Sequence, residues 1–412
     1  MIARICIPLI AIATFHLTIN AVLANGTQFY CPPELDIKHG NVVWEGGYSD
    51  MPYMVMLPSG KIGMSLTISD GKEGNADQHI IWLVSSDRGS SWSKPVKIEL
   101  PNGPEASWAM PFAENGRIFL FYTYNTRNIR RWPFSDKNGG RSRVDMLGDL
   151  AIRYSDDEGQ TWSDRIEVSI PRTAIDMENS FAGKETIFWL TGKPVRIGEY
   201  VYIGLSKGGK SYSGNILPET EAFLFRTKKI EEPDNYELVP SGKRGFKAMN
   251  GDLVTEEPSI ASFGDDSILV TMRTTSGRIL QAYQSSNTNK WLTNWAKYID
   301  GQYLEHPRAM PMISSLSNGS IILWFHNNSG VDFQNRNPVY IACAIKQGNQ
   351  NVSWSKPRML MCDSDKNVRI SYPSLVEIGN GKVLISETNK RTTRVHRYSM
   401  SELCGTTNPN EE

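Results

Sequence analysis

Two carboxylates, a guanidinium and a phenol recur along the chain at spacings suited to one shared site. Glu257 and Arg273 stand 16 positions apart, and about a hundred residues later Tyr372 precedes Glu387. Such groups supply proton transfer, anion binding and nucleophilic attack. A phenol is a weak nucleophile, with an ordinary pKa of about 10, so it needs a neighbouring base. Further polar residues are candidates for the same pocket. His306 and Arg308 lie in His306-Pro307-Arg308-Ala309-Met310-Pro311, where the prolines fix the backbone and pin both side chains as pocket lining, and His326 and Arg336 follow. Bland readings stand beside these. Glu257 and Arg273 also read as a plain ion pair, Tyr372 as a structural tyrosine opening a strand, and His79 and His326 as polar groups satisfied within the fold.

The elements that must position these residues are strands. Short β-rich segments alternate with turn residues and helical periodicity is nearly absent, which points to an all-β sandwich, barrel or propeller. The segments group in fours at 51–100, 107–169, 186–239, 255–299 and 308–361, with three more at 371–399. The strand Asn41–Glu45 is expected to supply the missing member by pairing with 393–399, which closes the ring and removes an exposed edge. A six-bladed propeller is predicted, or seven blades if the connections at 125–148 or 206–220 contain strands. In such a ring the loops entering inner strands and those joining second to third strands meet at one axial mouth. Glu257, His306, Arg308 and Tyr372 open inner strands, and Arg273, Arg336 and Glu387 end second strands or start the loop after them, so all are predicted to face one pocket.

Composition narrows the function. Lys plus Arg equals Asp plus Glu at 44 each among 412 residues, which gives no basic excess for nucleic acid or an acidic membrane. Residues 1–24 carry one early charge, Arg4, then an apolar run ending in Val22-Leu23-Ala24, and read as a cleaved secretory signal. A soluble, secreted or periplasmic single domain over 25–404 is expected, with 405–412 as a tail and a monomeric state. Beyond Cys6 in the leader four cysteines remain, Cys31, Cys343, Cys362 and Cys404, and these allow three pairings. Cys31 and Cys404 flank the ends of the ring, so a bridge there would tie its closure; free thiols are the alternative. No Cys-x-x-Cys or Cys/His cluster suggests a metal, and no cofactor is expected.

Two copies of Ser-x-Asp-x-Gly-x-x-Trp, at Ser85–Trp92 and Ser155–Trp162, resemble the Asp-box hairpins of the sialidase superfamily, and 352–357 holds a worn third copy. With the Glu/Arg/Tyr/Glu spacing, the chain resembles sialidase-type glycosidases over 45–400. The resemblance implies Tyr372 as nucleophile, Glu257 as its base, and Asp77, in Asn75-Ala76-Asp77-Gln78-His79, as acid/base on the leaving group; Glu73 and Asp70 share that loop. It also implies an arginine clamp for a sugar carboxylate, with Arg273 second and Arg336 third. The first arginine is absent, because Asp50-Met51-Pro52 stands where Arg-Ile-Pro belongs. A carboxylate there repels the substrate acid or ties up a clamp arginine, so an exo-glycoside hydrolase with a changed substrate is expected. His79, Tyr124 and Arg143, in that order, are similar to a propeller polysaccharide lyase set acting beside a uronate, which is the alternative reading. A glycan-binding propeller without turnover is the third.

Overall fold

The computed structural model describes residues 30–130, 143–210, 219–249, 251–330, 334–348 and 351–404. The leader at 1–24 and the tail at 405–412 lie outside these residues. Six antiparallel sheets are arranged as the blades of a β-propeller. The inner strands are Tyr48–Met56, Ala106–Glu114, Ile187–Ile197, Thr255–Ser262, Met312–Ser315 and Ser371–Gly379. Blade six takes its outer strand from the N-terminal side as predicted: Asn41–Glu45 pairs with Thr392–Ser399, Asn41 opposite Val395 and Glu45 opposite Thr392. This closure pairs an edge that would otherwise be open.

Apolar layers between blades hold the ring. Val55, Ile80 and Trp82 of blade one pack with Leu120, Tyr122 and Ala151 of blade two, and Met54, Met64 and Ile81 pack with Leu384 and Val395 of blade six. Each such side chain contributes about 1.5–3 kcal/mol when fully buried. The Asp boxes serve this packing. Asp157 accepts from Ser155 Oγ and from Thr161 N, both at 2.8 Å, while Glu158 O accepts from Trp82 Nε1 of the neighbouring blade at 3.2 Å. Gly159 has φ +91°, and a Cβ there would sit 2.0 Å from Trp82 Nε1, so the turn requires glycine.

The cysteines pair differently from the expected Cys31–Cys404 bridge. Cys31 joins Cys362 with Cα atoms 5.7 Å apart, and Cys343 joins Cys404 at 6.0 Å. The segment after Cys31 runs beside Cys362, with Ile37 N donating to Cys362 O and Cys362 N to Leu35 O. The short helix Met400–Leu403 turns Cys404 onto the strand Val339–Gln347. Both ends are thus clipped to blade five, not to each other. Non-reducing peptide mapping should recover these two cross-links, and a Cys31–Cys404 peptide would contradict the structure.

One backbone device recurs around the mouth. The pairing of inner with second strand slips between Asp50 and Tyr53, Ser107 and Met110, Glu256 and Ser259, and Ser371 and Ser374. At each bulge a residue other than glycine has positive φ: Met51 at 48°, Trp108 at 59°, Glu257 at 54° and Tyr372 at 48°. Bulges re-aim side chains, and such a conformation costs on the order of 1–3 kcal/mol. Blade five departs from the predicted strand start at 308, since Pro307 and Pro311 lack the N–H a ladder needs and pairing begins at Met312.

Candidate active site

Glu257 and Tyr372, on the bulges of blades four and six, meet as the sequence predicted. Tyr372 OH donates to Glu257 Oε1 at 2.9 Å. Arg273 Nη1 lies 2.6 Å from the same carboxylate oxygen and 3.5 Å from the phenol oxygen. Both partners are buried, Tyr372 at 6 % and Glu257 at 3 % exposure. Burial, then the charge of Glu257, pushes the phenol well above its usual pKa, against the opposing pull of Arg273 and Arg336. The phenol is therefore protonated at neutral pH, and Glu257 is the carboxylate placed to accept its proton.

The cations around this pair are held in a lattice of carboxylates. Glu256 lies 2.8 Å from Arg273 Nε and 3.0 Å from Arg308 Nε. Burial disfavours the charge on Glu256, yet the two guanidinium groups outweigh it and lower its pKa. Arg336 donates to Ser371 Oγ at 3.1 Å and to Arg308 O at 2.9 Å, and its guanidinium carbon stands 5.7 Å from the Tyr372 ring centroid.

Asp50, which the resemblance sets at an arginine's position, is fully buried and ion-paired with Lys390; Tyr48 OH donates to it at 2.8 Å. Burial raises the pKa of Asp50 against the stabilising charge of Lys390. The Lys390 ammonium lies 4.4 Å from the Tyr372 ring centroid and 3.9 Å from Glu73. Arg143 bonds Glu73 and Asp145, each at 2.9 Å. Burial would raise the pKa of Glu73, but Arg143, Lys390 and Arg336 hold it at about 2. Its side chain is still 33 % exposed, so part of that electrostatic effect is screened by solvent.

Several expected site residues bond partners other than the Tyr372–Glu257 pair. Glu387 ends the second strand of blade six, but the strand alternation turns it away: Ser386 faces blade one, bonding Pro52 O at 2.5 Å, whereas Glu387 meets Arg394 at 3.2 Å and His396 at 3.5 Å. His306 donates from Nε2 to Ala309 O at 2.9 Å and accepts the His326 N–H on Nδ1 at 3.3 Å. Both rings are buried and stacked 5.7 Å apart, and burial drives His306 to about 3 and His326 well below its usual value. Both are neutral at pH 7, and their bonds to Ala309 O and Pro338 O brace the blade-five loop. Asp77 accepts from Asp70 N at 2.5 Å, and its backbone oxygen bonds His79 Nδ1 at 2.7 Å. Glu73, from the same loop, joins the ion-pair cluster through Arg143 and Lys390. Tyr124 packs between blades one and two beneath Arg165, 3.7 Å from its ring, and Arg143 is committed to two carboxylates.

Sequence reading missed Lys390, Glu256 and Trp108. Lys390 follows the second strand of blade six, in the loop class already assigned to the mouth, three positions beyond Glu387. Glu256 precedes Glu257, where two adjacent acids before a proline were the available signal. Trp108 occupies the bulge of blade two, equivalent to Tyr372, with its ring centroid 5.8 Å from the Arg143 guanidinium.

Tyr53, Lys193, Ile260, Met312, Pro373 and Leu375 line a cavity of about 200 Å³. Lys193 Nζ donates to Leu375 O at 3.0 Å, and burial lowers its pKa to about 8. The unfolded chain holds the proton up to about pH 10.4. The burial penalty is therefore fully present below pH 8 and relieved as pH rises toward 10. Lys193→Met is expected to stabilise the fold at pH 7 by about 1–3 kcal/mol and to abolish the gain between pH 8 and 10, read by thermal melts. A destabilised variant would show that the Leu375 contact outweighs desolvation.

No family model matches the chain. The chain is 28 % identical over 178 residues to a sialidase of Clostridium perfringens, covering 38 % of this chain and 43 % of that protein. It is 26 % identical over 198 residues to a sialidase of Paraclostridium sordellii, covering 44 % and 45 %. The matched region thus spans less than half the length of these curated relatives. Among solved structures, the leech intramolecular trans-sialidase superposes with TM-score 0.59 at 16 % identity, over 93 % of this chain and 72 % of that one. A Dyadobacter fermentans protein of unknown function gives 0.62 at 12 %, over 87 % and 97 %. Six closed blades, two Asp boxes and these similarities make the chain a divergent sialidase-like β-propeller.

Proposed function

We propose that the protein is a retaining exo-glycoside hydrolase in which Tyr372 attacks the anomeric carbon of a terminal sugar. The observation that carries this reading is the 2.9 Å hydrogen bond from Tyr372 OH to Glu257, with Arg273 against both. As the phenol oxygen bonds to carbon, its proton passes to Glu257 and the glycosidic oxygen leaves with a proton from Asp77. Water then attacks the same carbon, Asp77 takes its proton, and Tyr372 recovers its own from Glu257. Glu73, held at about 2, is ionised at neutral pH and unsuited to be the acid. Two disulfides fit an oxidising compartment, supporting a secreted or periplasmic protein acting on a glycan.

The test is turnover on a panel of terminally capped polysaccharides. Reducing sugar without ultraviolet absorbance from an unsaturated uronate is expected, together with a sugar adduct on the Tyr372 peptide in quenched samples. Unsaturated product would indicate elimination, and binding without turnover a lectin. Asp77→Ala should slow natural glycosides by about 10²–10⁴-fold while sparing aryl glycosides with good leaving groups. Equal losses on both would remove Asp77 from the acid role.

A further inference from the structure

Resting on the hydrolase reading, we infer that this pocket selects a neutral, hydroxyl-rich terminal sugar over a carboxylated one. Charge is the first argument. Around Tyr372 the cations Arg143, Arg273, Arg308 and Lys390 each lie within ion-pair distance of a buried or half-buried carboxylate. On the Asp50 side of the pocket three carboxylates, Asp50, Glu73 and Asp145, face two ion-paired cations, Lys390 and Arg143. An incoming carboxylate there would add an uncompensated negative charge beside Asp50 and Glu73. Desolvating that charge is strongly unfavourable, whereas a hydroxyl brings no such term.

Hydrogen-bonding capacity is the second argument, and it is independent of charge balance. Among the described residues, Asp50 Oδ1 and Glu257 Oε2 are buried acceptors with no donor, and Trp108 Nε1 is a buried donor with no acceptor. Buried polar groups are ordinarily paired, so these atoms point to a ligand that supplies the missing partners. A sugar hydroxyl both donates and accepts, and so satisfies Asp50 Oδ1 and Trp108 Nε1 in turn. An ionised carboxylate has no proton to give and leaves both acidic oxygens unmet. Lys390 is the counter-ion that opposes the effect of burial on Asp50; Asp50 and Trp108 are the specificity contacts.

Binding to a turnover-deficient protein tests this apart from catalysis. Tyr372→Phe, otherwise full-length, would be titrated with galactose, fucose and rhamnose against N-acetylneuraminic acid and glucuronic acid, at low and high salt. At least one neutral sugar should bind at least tenfold more tightly than either acid, with little salt dependence. Asp50→Asn, added to that background, should weaken it about tenfold or more, and Trp108→Phe should do the same if the buried amide perturbs folding. Tighter, salt-sensitive binding of an acid overturns the inference, as does binding of none of the five. Neutral-sugar binding with no adduct on Tyr372 in the wild type would instead sink the hydrolase reading and leave this one standing.

Discussion

Tyr372→Phe is expected to abolish measurable turnover, by about 10³-fold or more, while the propeller stays folded. The substitution deletes one oxygen, and that oxygen forms the bond to the sugar in the proposed mechanism, so its loss falls on the chemical step. Glu257→Gln should cost about 10²–10⁴-fold, since the amide cannot take the phenol proton but keeps the side chain's shape. The two losses should not add, because a phenol without its base and a base without its phenol fail at the same step. Folding is affected far less. Glu257 keeps Arg273 at 2.6 Å when Tyr372 is changed, and one lost hydrogen bond to a charged group costs about 1.5–3 kcal/mol. Single-turnover rates and thermal melts on the same samples separate these effects. Near-wild-type activity in Tyr372→Phe would end the mechanism in this form.

Sialic acid should be released poorly, at least about 10- to 150-fold more slowly per enzyme than the preferred sugar. The range follows from one charge-assisted contact of about 1.5–3 kcal/mol that the missing arginine would have made. Asp50 adds repulsion to that loss. Burial pulls Asp50 toward its neutral form and Lys390 opposes it, so a carboxylate and its counter-ion stand where the sialidase resemblance puts a guanidinium for the substrate acid. An ammonium also lacks the parallel N–H pair that reads a planar carboxylate. Kinetics with a fluorogenic sialoside beside neutral glycosides measure the ratio, and sialoside turnover matching the best neutral substrate would refute the argument.

The sequence by itself determined the ring, the hairpins and the central pair. Period-two strands in groups of four, with one strand missing at 371–399 and one spare at 41–45, leave closure across the termini as the way to pair that edge, and the strands pair so. The meeting of Glu257 with Tyr372 was legible because both open inner strands, whose ends converge wherever the ring closes. Side-chain direction was decided only by tertiary structure. Pattern marks Glu387 as mouth-facing by its position, yet one step of alternation sends it to Arg394 and brings Lys390, in the following loop, over Tyr372. The bulges at Met51, Trp108, Glu257 and Tyr372 arise from pairing between strands and leave no mark beyond scattered prolines. Cysteine partners likewise depended on how each terminus crosses blade five. The charge on the clamp was the sharpest case: Asp50 in the sequence announces a lost cation, but only the fold shows which ammonium, 340 positions away, answers it.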